Sequence, residues 1–115
     1  MNYSYYYIQS DENFSKKIER TQLVDFLQSV KELQQKDHQT FQNSTDFQWF
    51  DMILTETKDG NFASSDTPIG WVRLIAVVCD ENANQNAYIQ LFRKIADHFG
   101  WQLYKENDDR ENELI

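Results

Sequence analysis

The carboxylates are the residues of this sequence with the clearest chemical potential. Asp and Glu number 19 against 11 Lys and Arg, which gives a net charge of -8. Two adjacent pairs, Asp80 with Glu81 and Asp108 with Asp109, contain the carboxylates that acid and base catalysis uses. That chemistry also needs a cleft in which one pKa is raised, and both pairs lie in polar segments. We therefore expect these carboxylates to make charge contacts with a partner rather than to catalyse a reaction.

Histidine, cysteine and glycine predict no further site. His38 and His98 have no second and third ligand at the spacing of a zinc site. Cys79 is the only cysteine, which excludes an intrachain disulfide, and without a histidine partner it is expected to be a small buried residue. The three glycines are isolated, so the pattern of a phosphate-binding loop is missing. The sequence predicts no catalytic residue, no metal and no cofactor.

One helix near the end of the chain is the best-defined element. Its apolar residues recur at steps of three and four, which places them on one helical stripe. They are Tyr88, Leu91, Phe92, Ile95, Ala96 and Phe99. Gly100 follows directly, where a left-handed residue closes a helix without steric cost. A short strand through Trp101, Leu103 and Tyr104 is predicted next.

The remaining elements follow from shorter patterns. Residues 3–9 predict a strand with apolar groups on both faces. Thr21 is a plausible N-cap for a helix that ends near Lys36, and residues 37–46 are expected to form a polar loop. Segments 47–55 and 71–79 alternate as strands. Their expected core faces are Phe50, Met52 and Leu54 in the first, and Val72, Leu74, Ala76 and Val78 in the second.

These elements predict a fold and a strand register. Pairing Asp51 with Arg73 aligns the second and third strands by both charge and apolar pattern, with a long loop from about residue 56 to 69 between them. The order strand, helix, strand, strand, helix, strand is that of the ferredoxin-like split βαβ fold, an α+β class. We expect an antiparallel four-stranded sheet with two helices on one face, formed by a single domain over residues 1–105 and followed by an acidic tail over residues 106–115.

This fold predicts two distinctive surfaces. One end of the sheet collects a negative cap of Asp37, Asp46, Asp80, Glu81, Glu106, Asp108, Asp109, Glu111 and Glu113. The sheet face away from the helices carries Phe47, Trp49, Ile53, Trp71, Ile75, Val77 and some of the N-terminal tyrosines. Apolar patches of this kind mark interaction sites, although the 56–69 loop covering the face or a homodimer through it would also explain the pattern.

The net charge indicates which class of partner the protein binds, and the length of its apolar runs indicates its compartment. A net charge of -8 disfavours direct binding of nucleic acid, whose phosphates attract Lys and Arg, and favours a basic partner. The longest uncharged apolar run, residues 74–79, is too short to cross a bilayer, and the N-terminus lacks the basic start and apolar stretch of a signal peptide. We expect a cytoplasmic protein with no membrane contact.

The segment LFRKIADHFGWQL, residues 91–103, and more loosely the strand GWVRLIAVVCD, resemble the immunity proteins encoded beside bacterial toxins, in particular those of contact-dependent growth inhibition and related polymorphic toxin systems. The resemblance implies an inhibitor that binds a cognate toxin, often a nuclease, and occludes its basic active site or substrate-binding surface. No functional residue carries over from a motif. The charge argument therefore supplies the candidate contacts: Asp46, Asp80, Glu81, Glu106, Asp108 and Asp109, with Trp49 and Asp51 as a second group.

Two other functions remain compatible with the sequence. A regulatory domain could pair through its sheet as a homodimer and hold a small molecule at the interface. An acidic inhibitor that mimics nucleic acid would make the same charge contacts as the immunity protein, so only the identity of the partner separates those two.

Overall fold

The computed structural model describes residues 2–56, 69–107 and 111–115. These ranges contain nine strands and two helices. In chain order these elements are β1 (Tyr3–Gln9), β2 (Ile18–Glu19), α1 (Arg20–Gln28), β3 (Leu33–Gln35), β4 (Thr40–Asn43), β5 (Phe50–Thr55), β6 (Trp71–Val72), β7 (Leu74–Asp80), α2 (Gln85–Phe99), β8 (Gln102–Lys105) and β9 (Glu113–Leu114).

Seven of these strands form one antiparallel sheet, in the order β3-β4-β5-β7-β1-β8-β9, and β2 pairs with β6 in a separate two-stranded sheet. The predicted four-stranded ferredoxin-like sheet is therefore wrong. The protein is an α+β domain with a larger sheet, because short strands extend it at both edges. Those strands carry mostly polar residues and lack the alternating apolar pattern that identifies longer ones.

The region after α1 contains the largest error in the prediction. The helix ends at Gln28 rather than near Lys36, and a β3–β4 hairpin occupies what was predicted to be helix and loop. Val30 and Leu33 are buried, but as residues beyond the helix rather than as its stripe. Asp37 organises the hairpin turn, since its Oδ1 accepts the backbone N–H groups of Gln39 and Thr40, each at 2.9 Å.

Helix α2 is as predicted. Five residues of the expected stripe are buried, namely Tyr88, Leu91, Phe92, Ile95 and Ala96. The side chain of Asn84 accepts the N–H of Ala87 at the start of the helix, and Gly100 adopts a left-handed φ of 69° at its end. These two caps satisfy backbone groups that the helix itself leaves without partners.

Strands β5 and β7 pair, but in a different register from the predicted one. Asp51 lies opposite Val78 rather than Arg73. Arg73 stands between β6 and β7, where its N–H bonds the carbonyl of Thr55 at 2.9 Å and its Nη1 donates to the carbonyl of Phe14 at 2.9 Å. The inward-facing alternation shifts by one residue at this break. The residues of β7 that face the core are consequently Ile75, Val77 and Cys79, not Ala76 and Val78.

The core lies on the sheet face that carries Tyr6, Phe50 and Met52, all of which are fully buried. The α2 side chain Phe92 contacts Tyr6 and Phe50, with ring centroids 5.5 and 5.6 Å apart. Helix α1 adds Leu23, Val24 and Leu27 to the same cluster. The predicted core face of β5 is confirmed by this packing.

Candidate functional site

The opposite face of the sheet, called here the open face, presents the remaining side chains of the central strands. Because side chains alternate between faces along a strand, it is defined by the residues that alternate with the core positions. These residues are Tyr3, Tyr5 and Tyr7 of β1, Trp49, Asp51 and Ile53 in and before β5, Ala76 and Val78 of β7, and Glu106 after β8.

Strand register places these residues in rows across the sheet. Asp51 lies opposite Val78, and Val78 lies opposite Tyr5. The row ends at Glu106, whose N–H bonds the carbonyl of Tyr5 at 3.0 Å. Asp51 and Glu106 therefore stand at the two ends of one row, separated by three strand spacings or about 14 Å.

A groove of about 400 Å³ lies along this row and the next one. Its lining consists of Tyr5, Tyr7, Asp51, Ile53, Ala76, Val77, Val78 and Glu106. The floor is aliphatic and the walls are tyrosine, and among the described residues that line the groove only the two carboxylates are charged. The groove therefore suits a ligand that combines an apolar part with a positive charge.

Tyr7 fixes the carboxylate at one end of the groove. Its hydroxyl donates to Glu106 Oε1 at 2.7 Å. Burial raises the pKa of Tyr7 well above its usual value, and the hydrogen bond to Glu106 raises it further. Tyr7 is therefore protonated at neutral pH and acts as a donor, which holds Glu106 in a defined orientation as an acceptor.

The carboxylate at the other end already has a cationic partner. Lys36 Nζ lies 3.0 Å from Asp51 Oδ1, and this is the one salt bridge within residues 2–56, 69–107 and 111–115. Lys105 is the chain neighbour of Glu106, but its ammonium group lies 5.8 Å from the ring centre of Tyr6, on the core side of the sheet. The two ends of the groove therefore differ in charge, because among the described residues only Asp51 has a cationic partner.

Two exposed aromatic side chains of the open face lie next to the groove. The rings of Tyr3 and Trp49 lie 5.8 Å apart, and the side chains are 48% and 37% exposed. The backbone of Trp49 is held in place, since its carbonyl accepts the hydroxyl of the buried Tyr88. Gln48 beside it exchanges hydrogen bonds with the backbone of Asn84. An exposed Trp on a fixed backbone has the character of an interface anchor.

The predicted negative cap is only partly assembled. Asp46 lies in the β4–β5 turn, and Asp80 and Glu81 lie where β7 ends, opposite Tyr3. Because Phe50 pairs with Cys79, both turns lie at the end of the sheet that carries Trp49. Asp37 is at the opposite end, in the β3–β4 turn. Of the other predicted contacts, Asp51 and Glu106 lie on the open face, whereas Asp108 and Asp109 fall outside the described residues.

Several aromatic and aliphatic residues predicted for the open face lie elsewhere. Phe47 packs against Phe50 and Tyr88 on the core side, with ring centroids 5.8 and 6.1 Å apart. Ile75 and Val77 are buried, because of the shift in alternation at Arg73. Trp71 is 40% exposed but belongs to the separate β2–β6 sheet, with Lys17 Nζ 4.4 Å from its ring centre.

Four members of this surface were not predicted individually from the sequence: Tyr5 and Tyr7 were included only among the N-terminal tyrosines, and Ala76 and Val78 were predicted for the core face. The spacing of Tyr3, Tyr5 and Tyr7 at every second residue is the signal that could have placed the tyrosines on one face. For Ala76 and Val78 no such signal exists, because the sequence does not show where the alternation shifts.

Within the described part of the chain, the cysteine and histidine side chains that could perform covalent or metal chemistry lie apart from one another. Burial raises the pKa of the Cys79 thiol well above its usual range, so the thiol is protonated at neutral pH. His98 stacks on Phe26, with ring centroids 3.7 Å apart. Among the described residues no group of three or more His, Cys, Asp or Glu side chains could hold a metal ion.

No family model, curated protein or solved structure matches this chain. Within the described ranges, no helix has the length and apolar character needed to cross a membrane.

Proposed function

We propose that this protein is a cytoplasmic immunity protein that binds a basic toxin domain and blocks its active or substrate-binding surface. The observation that carries the proposal is the open face, where exposed Tyr3 and Trp49 adjoin a groove whose Glu106 has no ion pair within the described part of the chain. Tyr and Trp are enriched among the residues that contribute most of the binding energy of protein interfaces, and a polar rim surrounds them.

The charge of the chain supports the same function. A nuclease needs a positive groove for its phosphate-bearing substrate, and a protein with a net charge of -8 is attracted to that groove before contact. Asp46, Asp80 and Glu81 extend the negative surface around Trp49. The partner would therefore meet a charged rim and an aromatic centre in one continuous region.

The test is co-expression with the product of each adjacent gene, followed by titration calorimetry of any complex at 50 and 500 mM NaCl. We expect one tight complex whose affinity falls as the salt concentration rises, because exposed charges are screened. Trp49→Ala should weaken it by about 2 kcal/mol or more, the usual effect of removing an interface anchor. Trp71→Ala is the matched control, since Trp71 is similarly exposed, at 40% against 37%, but lies off the open face.

An equal effect of the two tryptophan substitutions would contradict the proposed surface. A complex that forms as tightly at high salt as at low salt would contradict the role of charge. Tight binding of RNA at moderate salt would overturn the function altogether.

The size of the groove favours one other function, a small-molecule-binding regulatory domain that pairs through its sheet. A volume of about 400 Å³ is within the range of small-ligand sites. That function requires a homodimer whose interface buries Trp49, and this dimer must be present in low-salt buffer. Light scattering that gives a mass near 13.8 kDa would exclude this second function.

A further inference from the structure

The two carboxylates of the groove are unequal in their surroundings. Asp51 is paired with Lys36 at 3.0 Å, whereas Glu106 has no ion pair among the described residues and receives only the neutral hydroxyl of Tyr7. A cation that enters the groove is therefore attracted mainly to Glu106, because at Asp51 it would be repelled by the ammonium group already there.

The orientation of Glu106 suits a planar donor. Tyr7 occupies Oε1 with one hydrogen bond, which leaves Oε2 and a further lone pair of the carboxylate to accept others. Tyr5 is the next residue in the same row and is 38% exposed. A guanidinium group can pair with a carboxylate through two N–H groups and also stack on a tyrosine ring, which an ammonium group cannot do equally well.

The floor of the groove suits the rest of an arginine side chain. Val78 lies in the row between the two carboxylates, and Ala76 lies in the next row of the groove. The methylene stem of arginine covers apolar surface of this kind while its head remains charged. Because Asp51 and Glu106 are about 14 Å apart, one side chain cannot contact both. The site therefore has room for one cation, at the Glu106 end.

We propose that the groove is the binding site for one arginine side chain of the protein partner, with its guanidinium group on Glu106 and its stem across Tyr5 and Val78. This inference rests on the proposed function for the source of the arginine, but the arginine site itself can be tested without the partner.

The experiment is a titration of the ¹⁵N-labelled 115-residue chain, followed by NMR, with the blocked tripeptide Gly-Arg-Gly. Its matched probes contain lysine or citrulline in place of arginine, and citrulline has nearly the same shape without the charge. We expect amide shifts at Tyr5, Tyr7, Val78 and Glu106. The citrulline peptide should bind at least about tenfold more weakly, because a charge-assisted pair is lost.

Two substitutions locate the arginine site within the groove. Glu106→Gln should weaken arginine binding about tenfold, whereas Asp51→Asn should change it by less than about twofold, since that carboxylate is already paired. Equal binding of the arginine and citrulline peptides, shifts confined to residues outside the groove, or a larger effect of Asp51→Asn would each overturn the inference. The citrulline comparison uses the unaltered protein, so it decides the matter even if a variant folds poorly.

The outcomes separate this inference from the proposed function. If the arginine peptide does not bind but a basic toxin domain binds in a manner that depends on Trp49, the proposed arginine site is wrong and the proposed function stands. If the peptide binds at Glu106 but no product of an adjacent gene forms a complex, the arginine site is correct and the proposed function is wrong.

Discussion

The hydroxyl of Tyr7 donates a 2.7 Å hydrogen bond to Glu106 Oε1, although 99 positions separate the two residues along the chain. The pairing of β1 with β8 makes this contact possible, because it sets Tyr7 opposite Tyr104, two residues before Glu106. The bond connects the centre of the open face to the strand that precedes the acidic end of the chain.

Removing this hydrogen bond should have a measurable and specific effect. We expect Tyr7→Phe to lower the free energy of unfolding by about 1 kcal/mol, the usual net value of one such bond. A double-mutant cycle with Glu106→Gln, measured by urea unfolding, should assign most of that loss to the pair. Tyr5→Phe is the control, since among the described residues the Tyr5 hydroxyl makes no hydrogen bond. Equal losses in Tyr5→Phe and Tyr7→Phe would show that the contact contributes nothing specific.

The Lys36–Asp51 salt bridge should contribute little to stability. Its side chains are 43% and 34% exposed, so water and salt screen the attraction. A double-mutant cycle of Lys36→Met and Asp51→Asn should give a coupling free energy of less than about 1 kcal/mol, and 1 M NaCl should reduce it further. A coupling above about 2 kcal/mol that persists in high salt would mean that this pair is far better shielded than its exposure indicates.

Ionisation of Tyr6 should make the free energy of unfolding fall as the pH rises through the alkaline range. Burial raises its pKa from 10.0 to about 12, and the nearby Cys79 and Tyr88 contribute in the same direction. The unfolded chain ionises this tyrosine near pH 10, while the folded chain keeps it protonated. The stabilisation is therefore fully present below pH 10 and is lost as the pH rises to about 12. The loss amounts to about 2–3 kcal/mol.

Tyr6→Phe tests this prediction through urea unfolding at pH 8 and near pH 12. At pH 8 the variant should be less stable than the parent by about 1 kcal/mol, because the Tyr6 hydroxyl donates to Gln85 at 2.8 Å. As the pH rises, the deficit should shrink and then reverse, since the variant has no hydroxyl to ionise. A deficit that stays constant across this range would contradict the assignment.

The two described glycines should respond differently to alanine. Gly100 has a φ of 69°, and a Cβ added there would meet nothing within 4 Å, so the cost of Gly100→Ala is conformational alone and should be about 1–2 kcal/mol. Gly70 also has open space around it but no positive φ. Gly70→Ala should therefore be neutral or stabilise by up to about 1 kcal/mol, by restricting the unfolded chain. Thermal unfolding of both variants provides the comparison, and similar losses in both would contradict it.

Local patterns in the sequence were sufficient wherever one element contains its own signal. The stripe from Tyr88 to Ala96 and the stop at Gly100 predict α2, because contacts at three and four residues determine which side of a helix faces the core. The buried set Phe50, Met52 and Leu54 of β5 follows in the same way from a period of two. These features need no knowledge of the rest of the chain.

Short and polar elements could not be predicted in this way. The hairpin of β3 and β4 contains LQQ and TFQN, which have little apolar alternation, and Val30 and Leu33 happen to fit a helical spacing. The hairpin forms because β4 pairs with β5 and because Asp37 caps its turn. Both causes act through hydrogen bonds, which apolar periodicity does not record.

The sequence alone determined that this is an acidic α+β domain with a capped amphipathic helix and an aromatic-rich set of strands. The tertiary structure decided which residues share a surface. The break at Arg73 shifts the alternation of β7 by one residue, and that shift buries Ile75 and Val77 and brings Ala76 and Val78 to the groove. A one-residue shift exchanges the two faces of a strand at almost no cost in local propensity, so only pairing with neighbouring strands fixes it.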